Sequence, residues 1–112
     1  MKIERIDLHL VELPLVTPFE TSVVREIRHP SILVNLHAGG LSGWGECPCE
    51  YGPWFTHETL ETVWYILKDY LIPAVLGKEF REIPDFLAFY HSVRGHPIAR
   101  AGLENALWDL VA

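Results

Sequence analysis

Apolar residues fall on alternate positions early in the chain and at every third or fourth position later, and that change of period predicts strands followed by helices. Ile6, Leu8 and Leu10 alternate with Asp7, His9 and Val11, the pattern of a half-buried strand. Pro14 and Pro18 predict a break there, because proline cannot donate to a ladder, and a loop of about ten residues is expected to run on to Ser22. Val23 to Ile27 and Ser31 to His37 read as strand again, with His29-Pro30 as an interruption. Gly39-Gly40 is a hairpin signal, and Leu41 to Glu46 returns as a third strand.

Cys47 to Thr56 reads as a second loop, broken by Pro48, Gly52 and Pro53. Thr56 is the expected cap of a first helix, with Glu58 in its first turn. Leu60, Val63, Trp64, Leu67 and Leu71 form that helix's apolar stripe, and Pro73 is expected to stop it. Pro84 opens a second helix carrying Phe86, Leu87, Phe89 and Tyr90. Pro97 opens a third, with Leu103, Ala106, Leu107, Leu110 and Val111 on one face. The predicted fold is α+β: a three-stranded antiparallel meander followed by a three-helix bundle on one face of the sheet. The last helix carries none of the usual stop signals. Its face of Leu103, Leu107, Leu110 and Val111 is therefore expected to be exposed or to pack on a surface outside these residues.

A hydrophobic fraction of 49% against 21% charged residues fits a folded chain, and 112 residues suit one domain. The net charge of −6 argues against a nucleic-acid partner. No run approaches the ~18 apolar residues of a membrane span, and no apolar stretch follows Met1–Arg5 to make a signal peptide. Cys47 and Cys49 are too close for an unstrained disulfide and lack a second pair for zinc. They read as reduced thiols of a cytoplasmic protein.

Nothing in the residues alone forms a convincing catalytic set. Glycine-rich phosphate loops and a nucleophile elbow are missing. His91 and His96 do not share the i, i+4 face of a helical metal pair. Glu46 and Glu50 could mark a cation site or an acid/base pair, although loop carboxylates are more often simply solvated. The two loops are better candidates, since loops on a rigid scaffold often carry recognition. One holds Phe19, Glu20, Thr21 and Ser22; the other holds Glu50, Tyr51, Trp54 and Phe55.

Several segments together resemble the N-terminal capping domain of the enolase superfamily. They are Gly43-Trp44-Gly45-Glu46 after the Gly-Gly hairpin, the helix from Ala99 to Leu110, and Pro18-Phe19-Glu20-Thr21-Ser22. Gly45-Glu46-Cys47, Gly52-Pro53, Tyr70-Leu71-Ile72-Pro73-Ala74 and Val93-Arg94-Gly95-His96 are most similar to the o-succinylbenzoate synthase and N-acylamino-acid racemase family. Dipeptide epimerases and muconate cycloisomerases share much of this grammar.

The resemblance implies a two-domain enzyme about three times this length, with residues 1–97 as the cap. Residues 98–112 would begin the helix leading into a (β/α) barrel that these residues do not contain. That barrel would carry the lysine acid/base groups and three carboxylates for Mg²⁺, and would act on a small-molecule carboxylate by removing the proton beside it. Lys2, Lys68 and Lys78 match none of the catalytic lysines, so no catalytic or metal-binding residue is expected here. Isolated, this piece is expected to be inactive.

By the same resemblance, Phe19, Thr21, Ser22, Glu50 and Phe55 are substrate-specificity positions, the expected partners are the chain's own barrel and further copies in a homo-oligomer, and neither membrane nor nucleic acid is involved. Glu50 departs from the racemase pattern by placing an acid where apolar residues are common, which would disfavour an anionic substituent. A non-catalytic binding or assembly module is the competing reading.

Overall fold

A computed structural model describes residues 1–20 and 25–112, with side chains placed for 1–12 and 29–112. Three antiparallel strands follow one another as a meander: β1 (Ile3–Glu20), β2 (Arg25–Ala38) and β3 (Leu41–Pro48), in the order β1-β2-β3. Gly39 and Gly40 make the β2–β3 turn, each with positive φ. The turn thus takes a backbone that glycine adopts without steric cost.

The strands are longer than their prolines predict. β1 continues past Pro14, with a register irregularity between Pro14 and Phe19. It lies at the sheet edge, where a missing donor is tolerated. Pro30 sits inside β2, opposite Glu12. Its carbonyl points the other way, accepting from the Cys49 N–H at 3.4 Å. Since N and C=O of a strand residue share a side, the absent N–H faces the flank where β3 has already ended at Pro48 and leaves the β1 ladder whole.

The expected first helix is longer and less regular than its stripe suggests. It starts as α1 (Leu60–Ile66), widens into a π turn at Leu67–Leu71 and resumes as α2 (Ile72–Val75). The cap is Thr59, not Thr56: the Thr59 hydroxyl accepts from the Thr62 N–H, and the Thr59 N–H donates back to the Thr62 hydroxyl. Pro73 does not stop the helix, because the π turn just before it adjusts the hydrogen bonding that its missing N–H would disrupt. α3 (Ile83–Ala88) begins with Pro84 in its first turn as expected, but ends short of Phe89 and Tyr90. α4 (Pro97–Val111) is the main helix.

Ile32, Val34 and Leu36 of β2 and Gly43, Gly45 and Cys47 of β3 face the helices and are buried. α4 lies directly on β3. A Cβ on Gly45 would come within 1.9 Å of the Gly102 carbonyl oxygen, and one on Gly43 within 2.2 Å of that of Ala106. The Gly-Trp-Gly stretch is therefore a seat for a helix backbone. Leu103 and Leu107 are fully buried and Leu110 is 5% exposed, while Val111 is 39% exposed. This corrects the expectation of an unpartnered face: three of the four residues are covered by the chain itself, because the glycines admit α4 so closely. The Trp44 N–H on the outer side of β3 donates to the Asp109 carboxylate at 2.8 Å.

Candidate functional site

The second loop, residues 49–59, leaves the end of β3 and crosses to α1. Its base is pinched by the Leu60 N–H, which donates to the Glu50 carbonyl at 2.7 Å. Tyr51 reaches β1, its hydroxyl donating to the Glu12 carboxylate at 2.7 Å. The base of the long β1–β2 hairpin and the second loop thus meet at one end of the sheet.

A cavity of about 200 Å³ lies there, lined by His29, Cys49, Glu50, Phe55, Glu58 and Ile98 among others. Phe55 is 56% exposed. Glu50 contributes a carboxylate oxygen that is sealed from solvent and has no hydrogen-bond partner, an arrangement that favours an incoming donor over an anion. Of the first candidate loop, Thr21 and Ser22 lie outside the described residues. Phe19 is described by its backbone alone, paired with Glu26. The structure therefore brings Glu50 and Phe55 to one cavity. Glu46 is engaged elsewhere, accepting from the Ser31 hydroxyl at 2.7 Å.

The residue that sequence reasoning missed is Glu58. Expected as a first-turn acid of α1, it precedes that helix and is 2% exposed. Its carboxylate accepts from the Ile98 N–H at 2.9 and 3.0 Å and from the Ala99 N–H at 3.2 Å. These are first-turn donors of α4, whose cap residue His96 offers no side-chain bond and whose Pro97 has no donor. A carboxylate there also complements the positive end of the helix dipole. A signal for the place of Glu58 outside the helix, though not for its burial, was available: the apolar stripe starts at Leu60, which points to Thr59 as the cap.

Cys49, in the same cavity, is a buried free thiol that burial and the nearby Glu58 push up to about 11. Burial, with lesser contributions led by Cys49 and Glu58, pushes Cys47 up to about 12. Both stay protonated at neutral pH and are poor nucleophiles and metal ligands. Among the described residues no three His, Cys, Asp or Glu side chains converge as a metal cage, so the described part of this chain does not fit a magnesium site of its own. No described helix is long and apolar enough to cross a membrane.

The described residues thus form a three-stranded sheet covered on one face by helices, with an irregular loop over one end. The chain belongs to the mandelate racemase / muconate lactonizing enzyme family, whose N-terminal domain it matches over residues 5–112. It is 39% identical over 116 residues to o-succinylbenzoate synthase of Bacillus subtilis (strain 168), covering 100% of this chain and 30% of that protein. It is 37% identical over 115 residues to N-succinylamino acid racemase of Thermus thermophilus, covering 100% of this chain and 30% of that protein. A solved enolase-superfamily member from Enterococcus faecalis V583 superposes with a TM-score of 0.90 at 34% identity, covering 100% of this chain and 31% of that one. The chain thus spans about 30% of the length of the curated relatives it matches.

Proposed function

We propose that this chain is the substrate-capping domain of a magnesium-dependent enzyme that abstracts the proton beside a carboxylate. The substrate class is that of an o-succinylbenzoate synthase, an N-acylamino-acid racemase, or both. The observation that carries this reading is the cavity at one end of the sheet, where Glu50 and Phe55 meet beside the base of the hairpin, in a chain of this family.

In this reading residues 1–97 form the cap, and residues 98–112 lead into a barrel whose strand ends hold the lysines and the metal carboxylates. Magnesium bound there supplies charge stabilisation that a weak carbon acid requires. The cap's own residues shape the substrate's distal end. Phe55 offers an apolar wall that sheds water, and the unpartnered Glu50 oxygen is placed to accept from a donor group. Phe19, Thr21 and Ser22 complete the specificity surface from the hairpin. The working enzyme is a cytoplasmic homo-oligomer.

Assay of the full-length protein with Mg²⁺ tests this. Turnover is expected with N-succinylamino acids, with the o-succinylbenzoate precursor, or with both, and none with residues 1–112 alone. No turnover with either class overturns the reading, and turnover confined to dipeptides or muconate reassigns the substrate.

A further inference from the structure

We propose that Glu58 is a positioning residue: its carboxylate latches the 49–58 loop to the start of α4 and thereby fixes Glu50 and Phe55 over the substrate. The inference rests on the reading that this loop faces the substrate, and it adds a residue that acts by holding the cavity wall to the helix.

The loop is bent and irregular between Tyr51 and His57, so its shape depends on how its ends are held. One end is held by backbone, through the Leu60 N–H on the Glu50 carbonyl and the Cys49 N–H on the Pro30 carbonyl. The other end shares that Leu60 bond and is held besides by the Glu58 side chain, which grips a helix start 40 residues on. Within the loop, the Glu58 N–H donates to the Thr56 hydroxyl at 2.8 Å, which passes the anchor one step nearer to Phe55. Glu50, Phe55, Thr56, Glu58 and Ile98 all line the same cavity, so the latch and the candidate contacts share one wall. A buried carboxylate bonded to two backbone amides is strongly held. Removing it leaves those amides buried without acceptors and frees the loop's end. A displacement of even an ångström at a substrate-positioning group is costly to turnover at low substrate.

The test compares Glu58→Ala, Glu58→Gln and Asp109→Asn in the full-length protein with Mg²⁺. Asp109 secures α4 to β3 away from the loop, so its variant reports general destabilisation of the helix. Glu58→Ala is expected to raise KM for the N-acylamino acid or o-succinylbenzoate precursor about tenfold, with kcat within about threefold, since the chemistry lies in the barrel. Glu58→Gln keeps one acceptor oxygen and is expected to recover part of the loss. Asp109→Asn is expected to leave KM unchanged. Hydrogen exchange supplies a readout independent of activity: the amides of residues 50–57, Ile98 and Ala99 should exchange at least tenfold faster in Glu58→Ala and to a smaller extent in Glu58→Gln, and those of 50–57 unchanged in Asp109→Asn. Lower thermal stability with wild-type KM and loop exchange makes Glu58 a helix cap only and overturns the proposal. Should the wild-type protein turn over neither substrate, the capping function fails, and the exchange result still decides whether the latch exists.

Discussion

At the scale of single residues, closeness of packing matters more than chemistry in the motif that marks the family. Gly43, Gly45 and Gly102 are small because backbone or sulfur already occupies the space of their missing Cβ atoms. For Gly45→Ala the obstructing atoms are the Gly102 carbonyl and the Ala106 N, which cannot rotate away. The variant is expected to lose about 3 kcal/mol of stability through overpacking, measured by urea unfolding. Gly102→Ala meets the Cys47 sulfur at 2.0 Å instead and should be similarly destabilised. The thiols make a second case. With Cys47 and Cys49 buried and their pKa values raised, a thiol reagent at pH 8 should label neither in the native protein and both after denaturation. The sequence pattern legibly placed both as reduced. Burial of Glu58 was not legible, because nothing local to Glu58 reveals that a helix some 40 residues on starts without its own cap.

At the scale of elements, the stripes of α1 and α4 were readable because one face of each is committed to a single core, whereas the β1 alternation holds at Ile6 and Leu8 and fails at Leu10, which is 48% exposed. The prolines misled for a physical reason. A proline forbids a ladder bond only on the side its nitrogen faces, and Pro30 faces a flank that β3 has vacated. Pro73 is likewise absorbed by a π turn that no apolar periodicity announces. Misplacing the first cap by one turn hid Glu58 as well. The reciprocal Thr59–Thr62 box gives a direct check: Thr59→Ala is expected to cost about 1 kcal/mol, lowering the melting temperature by about 4–8 °C in a thermal scan. Thr56→Ala, by removing only a bond inside the loop, should cost less.

At the scale of the whole molecule, three buried weak acids set the alkaline limit. Cys47 and Tyr90 are pushed up to about 12 and Cys49 to about 11, chiefly by burial. Their raised native values mean that the unfolded chain gives up protons first, from the ordinary thiol value of 9.0 upward. Their contribution is whole below that pH and is lost as pH rises toward about 12. Denaturation midpoints should therefore fall between pH 9 and 12, and replacing Tyr90 by Phe should flatten that fall. The architecture itself followed from the order of periods along the chain, whereas the meeting of hairpin base and second loop depended on tertiary contacts such as Tyr51 with Glu12.

The borders of the sheet have a consequence for assembly. The start of β1 is closed by residues 77–80, with the Ile3 N–H on the Lys78 carbonyl and the Gly77 N–H on the Ile3 carbonyl. Midway along β3, Asp109 occupies an outward amide. A foreign strand seeking to lengthen this ribbon would thus meet partners already taken at the start of β1 and midway along β3.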